Sequence, residues 1–146
     1  MIQPSTDAVV HEVEYPYPIE LVWRALTDRE AISQWLMQTD FSPEVGHKFT
    51  FHDPNAQGWS GTVDCEVLVL DEPNRLSYSW SAGFATTVTF NLDATADGGT
   101  RVRVEQAGFD AAGDFGKTAR EGADYFWGKK TLRGTLPEAI ARLAKA

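Results

Sequence analysis

The chain predicts an α+β fold, a curved antiparallel sheet of about six strands wrapped around a long C-terminal helix, with two short helices after the first strand. Three observations carry this. Apolar and polar residues alternate at period 2 through most of the chain, turn residues interrupt that alternation at short intervals, and the C-terminal stretch switches to helical spacing.

Val9, His11, Val13 and Tyr15 oppose Val10, Glu12 and Glu14, a strand with one drier face. Tyr15-Pro16-Tyr17-Pro18 ends it, because proline cannot donate to a ladder and restrains the residue before it. Pro18 suits the first turn of a helix whose apolar face is Ile19, Val22, Trp23 and Leu26. Thr27-Asp28 breaks that helix and caps a second, with Ile32, Trp35 and Leu36 as its stripe and Met37 beside them.

From Gly46 the alternation returns. Phe49 and Phe51 oppose Lys48, Thr50 and His52, and a turn follows from Asp53 to Gly58. Val63, Cys65, Val67 and Val69 then oppose Thr62, Asp64, Glu66 and Leu68. After the turn Asp71 to Asn74, Leu76, Tyr78 and Trp80 alternate with serines. Ser81-Ala82-Gly83 turns the chain into Val88, Phe90 and Leu92, and Asp97-Gly98-Gly99 turns it again into Val102 and Val104. Consecutive strands with short turns make an antiparallel meander.

An irregular segment is expected from Asp110 to Thr118, and a long helix from Thr118 or Ala119, with Tyr125, Leu132, Leu136, Ile140 and Leu143 as its apolar stripe. Gly122, Gly128 and Gly134 each weaken that helix by roughly 0.8–1 kcal/mol relative to alanine. Pro137 lacks a backbone donor and is expected to kink it about one turn earlier. Only this helix is large enough to cover the dry face of the meander. With no repeat or linker in sight, residues 1–146 read as one domain with 1–7 as a flexible tail.

A net charge of −8, from 21 acidic and 13 basic residues, makes nucleic acid and anionic membrane surfaces poor partners. Cys65 is the single cysteine, so an intrachain disulfide and a cysteine-based zinc site are excluded. The longest apolar run, Val67 to Leu70, is far short of the roughly 20 residues that span a bilayer. Residues Met1 to Asp7 lack the features of a signal peptide, which favours a cytoplasmic protein.

The inward phase collects Trp35, Phe49, Phe51, Cys65, Tyr78, Trp80 and Phe90, with Phe109, Phe126 and Trp127 near the helix. Any one of them reads first as core packing. As a set they also fit the lining of an apolar cavity, with Tyr78 and Trp80 favoured because each brings a polar donor. Gln106 continues the inward phase of Val102 and Val104, and a buried amide is either satisfied within the protein or aimed at a ligand. Asp64 and Glu66 fall on the outward face. His11, His47 and His52 show no metal-ligand spacing, and Cys65 beside acidic residues is a poor nucleophile. No catalytic dyad or triad and no cofactor motif is visible.

The stretch from Val13 to Asp28, with Trp35 after it, carries a family resemblance. So do Gly61-Thr62-Val63, Pro73 to Trp80, Thr87-Val88-Thr89-Phe90, Gly98-Gly99-Thr100-Arg101 and Trp127. Together, over about Val9 to Leu143, the chain resembles the START-like (Bet v 1-like, helix-grip) superfamily, and within it the activator of Hsp90 ATPase homologue 1-like proteins. Gln106 stands where members often carry histidine, and Gly134 and Pro137 interrupt the final helix. The resemblance implies an apolar or amphipathic small-molecule ligand held between sheet and helix, lined by the residues named above. Its alternatives are a chaperone partner and an enzyme of the cyclase, aromatase or hydrolase kind. Monomer and homodimer both stay open.

Overall fold

The computed structural model describes residues 8–145, so the tail expected over 1–7 lies outside the described residues. The chain runs β1 (Val9–Tyr15), α1 (Ile19–Thr27), α2 (Arg29–Trp35), β2 (Gln38–Thr39), β3 (Lys48–His52), β4 (Thr62–Asp71), β5 (Arg75–Ser81), β6 (Ala85–Ala94) and β7 (Thr100–Ala107). A 3-10 turn (Phe109–Ala112) follows, and α3 (Gly113–Tyr125), a π-helical segment (Phe126–Thr135) and α4 (Leu136–Lys145) then form one long C-terminal helix. The strands order as β1-β7-β6-β5-β4-β3-β2, all antiparallel, so the first strand closes the meander against the last. This is the α+β helix-grip arrangement.

The sheet has seven strands where about six were expected. The addition is β2, two residues pairing Gln38 with His52 and Thr39 with Phe51. A segment that short leaves no period-2 signature. The Asp28 cap is made as expected, its carboxylate accepting from the Glu30 N–H at 3.0 Å. In β4 the register shifts between Val67 and Val69, so that Leu70 comes opposite the buried Leu76 and Val69, expected inward, is left half-buried. Such a bulge sharpens the bend that lets the sheet curl.

The C-terminal helix departs from expectation at three points. It starts at Gly113, not at Thr118 or Ala119. Two glycines disguise that first turn, yet Gly116 is buried where the helix crosses the Phe109 carbonyl, and a Cβ there would lie 1.9 Å from that oxygen. Secondly, Tyr125 is 63% exposed, while Leu132, Leu136 and Ile140 are sealed in the core. The intervening π segment turns through a smaller angle per residue than an α-helix, so a seven-residue step no longer returns to the same face.

Thirdly, the helix widens ahead of Pro137. Side-chain bonds reach carbonyls five residues back: Thr131 Oγ1 donates to Phe126 O at 3.0 Å, and the Arg133 guanidinium donates to Gly128 O at 2.8 Å. Pro137 supplies no N–H to the carbonyls of the turn before it. The widened segment is locked to both neighbours. The Tyr15 hydroxyl donates to Leu132 O at 2.5 Å, and Thr135 Oγ1 donates to Trp35 O at 2.7 Å.

Two glycines in one helix are expected to respond oppositely to alanine. Gly116→Ala should cost about 3 kcal/mol, because the clash is with backbone. Gly122→Ala, whose Cβ meets nothing within 4 Å, should gain up to about 1 kcal/mol of helix propensity. Urea denaturation of both variants checks the pair.

Burial raises three groups in this core. The Tyr15 phenol is pushed up by desolvation, with the Arg133 charge partly opposing; the Tyr78 phenol rises by desolvation and then by Cys65. The Cys65 thiol is pushed up by desolvation first, then by Asp64 and Asp40. Each therefore stabilises the fold fully below its ordinary value, about 8.5 for a thiol and about 10 for a phenol, and that stability is lost as pH climbs through the raised value. The urea midpoint is expected to fall steadily above about pH 9. Tyr15→Phe should flatten that fall.

Candidate functional site

At one end of the concave face, sheet and helix part to leave a cleft of about 440 Å³. Its floor comes from strand ends that the meander brings side by side: Val63 of β4, Trp80 of β5, Thr86 of β6 and Gln106 of β7. The opposite wall is α3, where Ala119, Gly122 and Ala123 at i, i+3 and i+4 share one helical face. Phe126, the first residue of the π segment, closes that wall. Trp59 of the β3–β4 loop, Met37 after α2, Phe109 and the β5–β6 hairpin tip at Ala82 and Phe84 form the rim.

The gap has a simple cause. The side chains that α3 presents to the cleft are small, and a Cβ built on Gly122 would meet nothing within 4 Å. One turn later large residues take over, and Trp127 is fully buried against Trp80 and Phe90 at ring-centroid distances of 6.1 and 5.7 Å.

A hydrogen-bonded chain crosses the floor. Trp127 Nε1 donates to Gln106 Oε1 at 2.8 Å, Gln106 Nε2 donates to Thr86 Oγ1 at 2.9 Å, and Thr86 Oγ1 donates to the Trp80 carbonyl at 3.0 Å. Among the described residues the lining holds no acidic, basic or otherwise titratable side chain; its polar groups are the Gln106 amide, the Thr86 hydroxyl and the indole N–H donors of Trp59 and Trp80. The wall therefore offers apolar contact and amide or hydroxyl hydrogen bonding, with no acid–base pair for proton transfer.

Among the residues expected to line a cavity, Trp80, Gln106, Phe109 and Phe126 are brought together here. Trp35, Phe49, Phe51, Cys65, Tyr78 and Phe90 lie outside the cleft, in a packed cluster at the core. Phe49 stands 5.3 Å from Phe51 and 5.4 Å from Tyr78, and Tyr78 stands 5.9 Å from Phe90. Trp35 spends its indole N–H on Ala25 O at 2.9 Å. Trp35 of α2 and Trp127 of the π segment pack on Phe90 at ring-centroid distances of 6.3 and 5.7 Å, and Phe41 packs on Phe49 at 5.1 Å, which fills the space over this cluster. Period-2 phase told that they point inward. It did not tell which inward positions meet an empty helix face.

Met37, Trp59, Val63, Ala82, Phe84, Thr86, Ala119 and Ala123 were not singled out from the sequence as lining. Of Gly122, Gly128 and Gly134, the small residues that the sequence offers to open a gap under the helix, Gly122 lines the cleft. The loop and hairpin members carry no such signal.

The histidines lie apart. His11 Nε2 meets Asp124 Oδ1 at 2.8 Å, His47 stacks on Phe49, and His52 Nδ1 meets Thr62 Oγ1 at 3.2 Å. Among the described residues no three His, Cys, Asp or Glu side chains converge as metal ligands. Asp64 is exposed and Glu66 half-buried. No helix among the described residues is long and apolar enough to cross a membrane.

Gln106→Leu is expected to destabilise the protein by about 1–3 kcal/mol, because the buried Trp127 N–H loses its acceptor. Adding Trp127→Phe should recover much of that loss. Thermal or urea unfolding of the two variants measures it.

Comparison with known proteins places this geometry. The family model described as activator of Hsp90 ATPase homolog 1-like protein matches residues 16–133. Protein MLL2253 from Mesorhizobium loti is 34% identical, with 94% of this chain and 96% of that one covered and a TM-score of 0.75. Protein BH1534 from Bacillus halodurans is 25% identical over 91% of this chain and 96% of that one, with a TM-score of 0.71. PFC0360w, an HSP90 activator from Plasmodium falciparum, shares the fold at 17% identity, 94% and 96% coverage and a TM-score of 0.67. No curated protein sequence matches the chain. The family match spans most of the sequence, and this protein belongs to the activator of Hsp90 ATPase homolog 1-like family.

Proposed function

We propose that the protein binds an apolar small molecule in the cleft between α3 and the sheet. The observation that carries this is the cleft itself: about 440 Å³ walled by apolar side chains, with two polar groups on its floor. That volume and that ratio of apolar to polar lining suit a small-molecule site. The helix face above it keeps small residues where larger ones would close the space and stabilise the fold by burying more area.

Nile red, an uncharged apolar dye, tests the reading. Its fluorescence is expected to rise and shift to the blue at a single saturable site, and Gly122→Leu should weaken binding at least tenfold while leaving thermal stability intact. A ligand at one hundred times its Kd would add about 2.7 kcal/mol to stability, a readily measured thermal shift. Dye binding that ignores Gly122→Leu would remove the cleft from the account.

Chaperone stimulation is the second reading, favoured by the family match and by the shared fold of the Plasmodium falciparum HSP90 activator. Its test is the ATPase rate of an Hsp90-class chaperone with and without this protein. An unchanged rate at saturating concentration retires it.

A further inference from the structure

We propose that Gln106 makes the cleft selective for uncharged aromatic molecules that present a hydrogen-bond acceptor, a ketone or ether oxygen, to its side-chain amide. This deepens the small-molecule function proposed above and rests on it.

The argument is a count of protons. An indole N–H can only donate, so the 2.8 Å contact from Trp127 Nε1 obliges Gln106 to present its oxygen there. The amide nitrogen is thereby turned to Thr86 Oγ1, to which it donates at 2.9 Å. The single hydroxyl proton of Thr86 is spent on the Trp80 carbonyl at 3.0 Å. Trp127 and Thr86 have no proton left to offer. The Gln106 amide has two, and the bonds made by its side chain use one.

The second amide hydrogen belongs to a side chain that lines the cleft and is 4% exposed. A buried donor without an acceptor is costlier than a spare lone pair, so the polar end of the site rewards a ligand that accepts. A ligand polar group that can only donate finds just the spare lone pairs of the same amide and hydroxyl.

Charge and shape narrow the class. Among the described residues the lining holds no Lys, Arg or His, so a carboxylate would give up its hydration without a cationic partner, against a chain of net charge −8. Among the same residues it holds no Asp or Glu for an amine. The faces it does offer are aromatic: Trp59, Trp80, Phe84, Phe109 and Phe126. Flat rings pack on such faces in offset or edge-on geometries that alkyl chains do not exploit.

Three matched probes separate these terms: fluorene, 9-fluorenone and 9-fluorenone-2-carboxylate, titrated calorimetrically into the wild type and into Gln106→Leu/Trp127→Phe. That double variant removes the amide without orphaning the indole. The preference for 9-fluorenone over fluorene should drop about fivefold or more in the variant, the worth of one hydrogen bond. The carboxylate should bind the wild type at least tenfold more weakly than 9-fluorenone. Independently of any substitution, one side-chain amide proton resonance of Gln106 should move with 9-fluorenone and neither with fluorene. An equal preference in both proteins, or a carboxylate as tight as the ketone, overturns the selectivity while leaving the cleft a binding site. Failure of all three probes and of Nile red overturns both.

Discussion

The C-terminal helix shares with α1 and α2 the cover of the sheet's apolar face, and its side chains change size along its length. Everything else follows from that constraint. Leu132, Leu136, Ala139 and Ile140 are fully buried and seal one part of the face against α1 and α2. Ala119, Gly122 and Ala123 cover the other end with side chains too small to fill the space, which is the cleft. Close packing and an open site are the two outcomes of one contact, decided by residue volume alone.

The seam between the two regimes is where the polar groups sit. Trp127 lies on the sealed side, fully buried, and its indole reaches the floor of the open side through Gln106. The π-helical geometry falls at the same place, with Phe126 opening the segment on the cleft wall and Trp127 next in the chain turned into the core. Widened turns of this kind recur at functional sites. Here a cleft residue and a core residue stand one position apart in the chain. The bonds from Tyr15 to Leu132 and from Thr135 to Trp35 hold that geometry to the sheet and to α2.

The site is notable for what its chemistry favours. Its amide and hydroxyl are joined in one hydrogen-bonded chain, and among the described residues no charged side chain lines it. The chain spans positions on three adjacent strands, so the sheet fixes its geometry. The orientation of the Gln106 amide follows from those bonds and not from the fold alone.

The alternation from Val9 to Val104 was enough to read the strands, their turns and their inward phase, because period 2 depends on local geometry and one buried face. The Asp28 cap and the covering role of the final helix were legible for the same local reasons. The two-residue strand at Gln38–Thr39 was not, since its pairing is the only thing that makes it a strand. Nor was the start of α3 at Gly113, where Gly116 serves a close approach to Phe109 that exists only once the chain has folded back. The cleft is the sharpest case. Trp80 and Phe51 share an inward phase and a preference for burial, yet one lines a space and the other is packed solid. What separates them is which part of a distant helix lies opposite, and whether that part carries Gly122 or Leu132, a matter of contacts across the chain that no local pattern encodes.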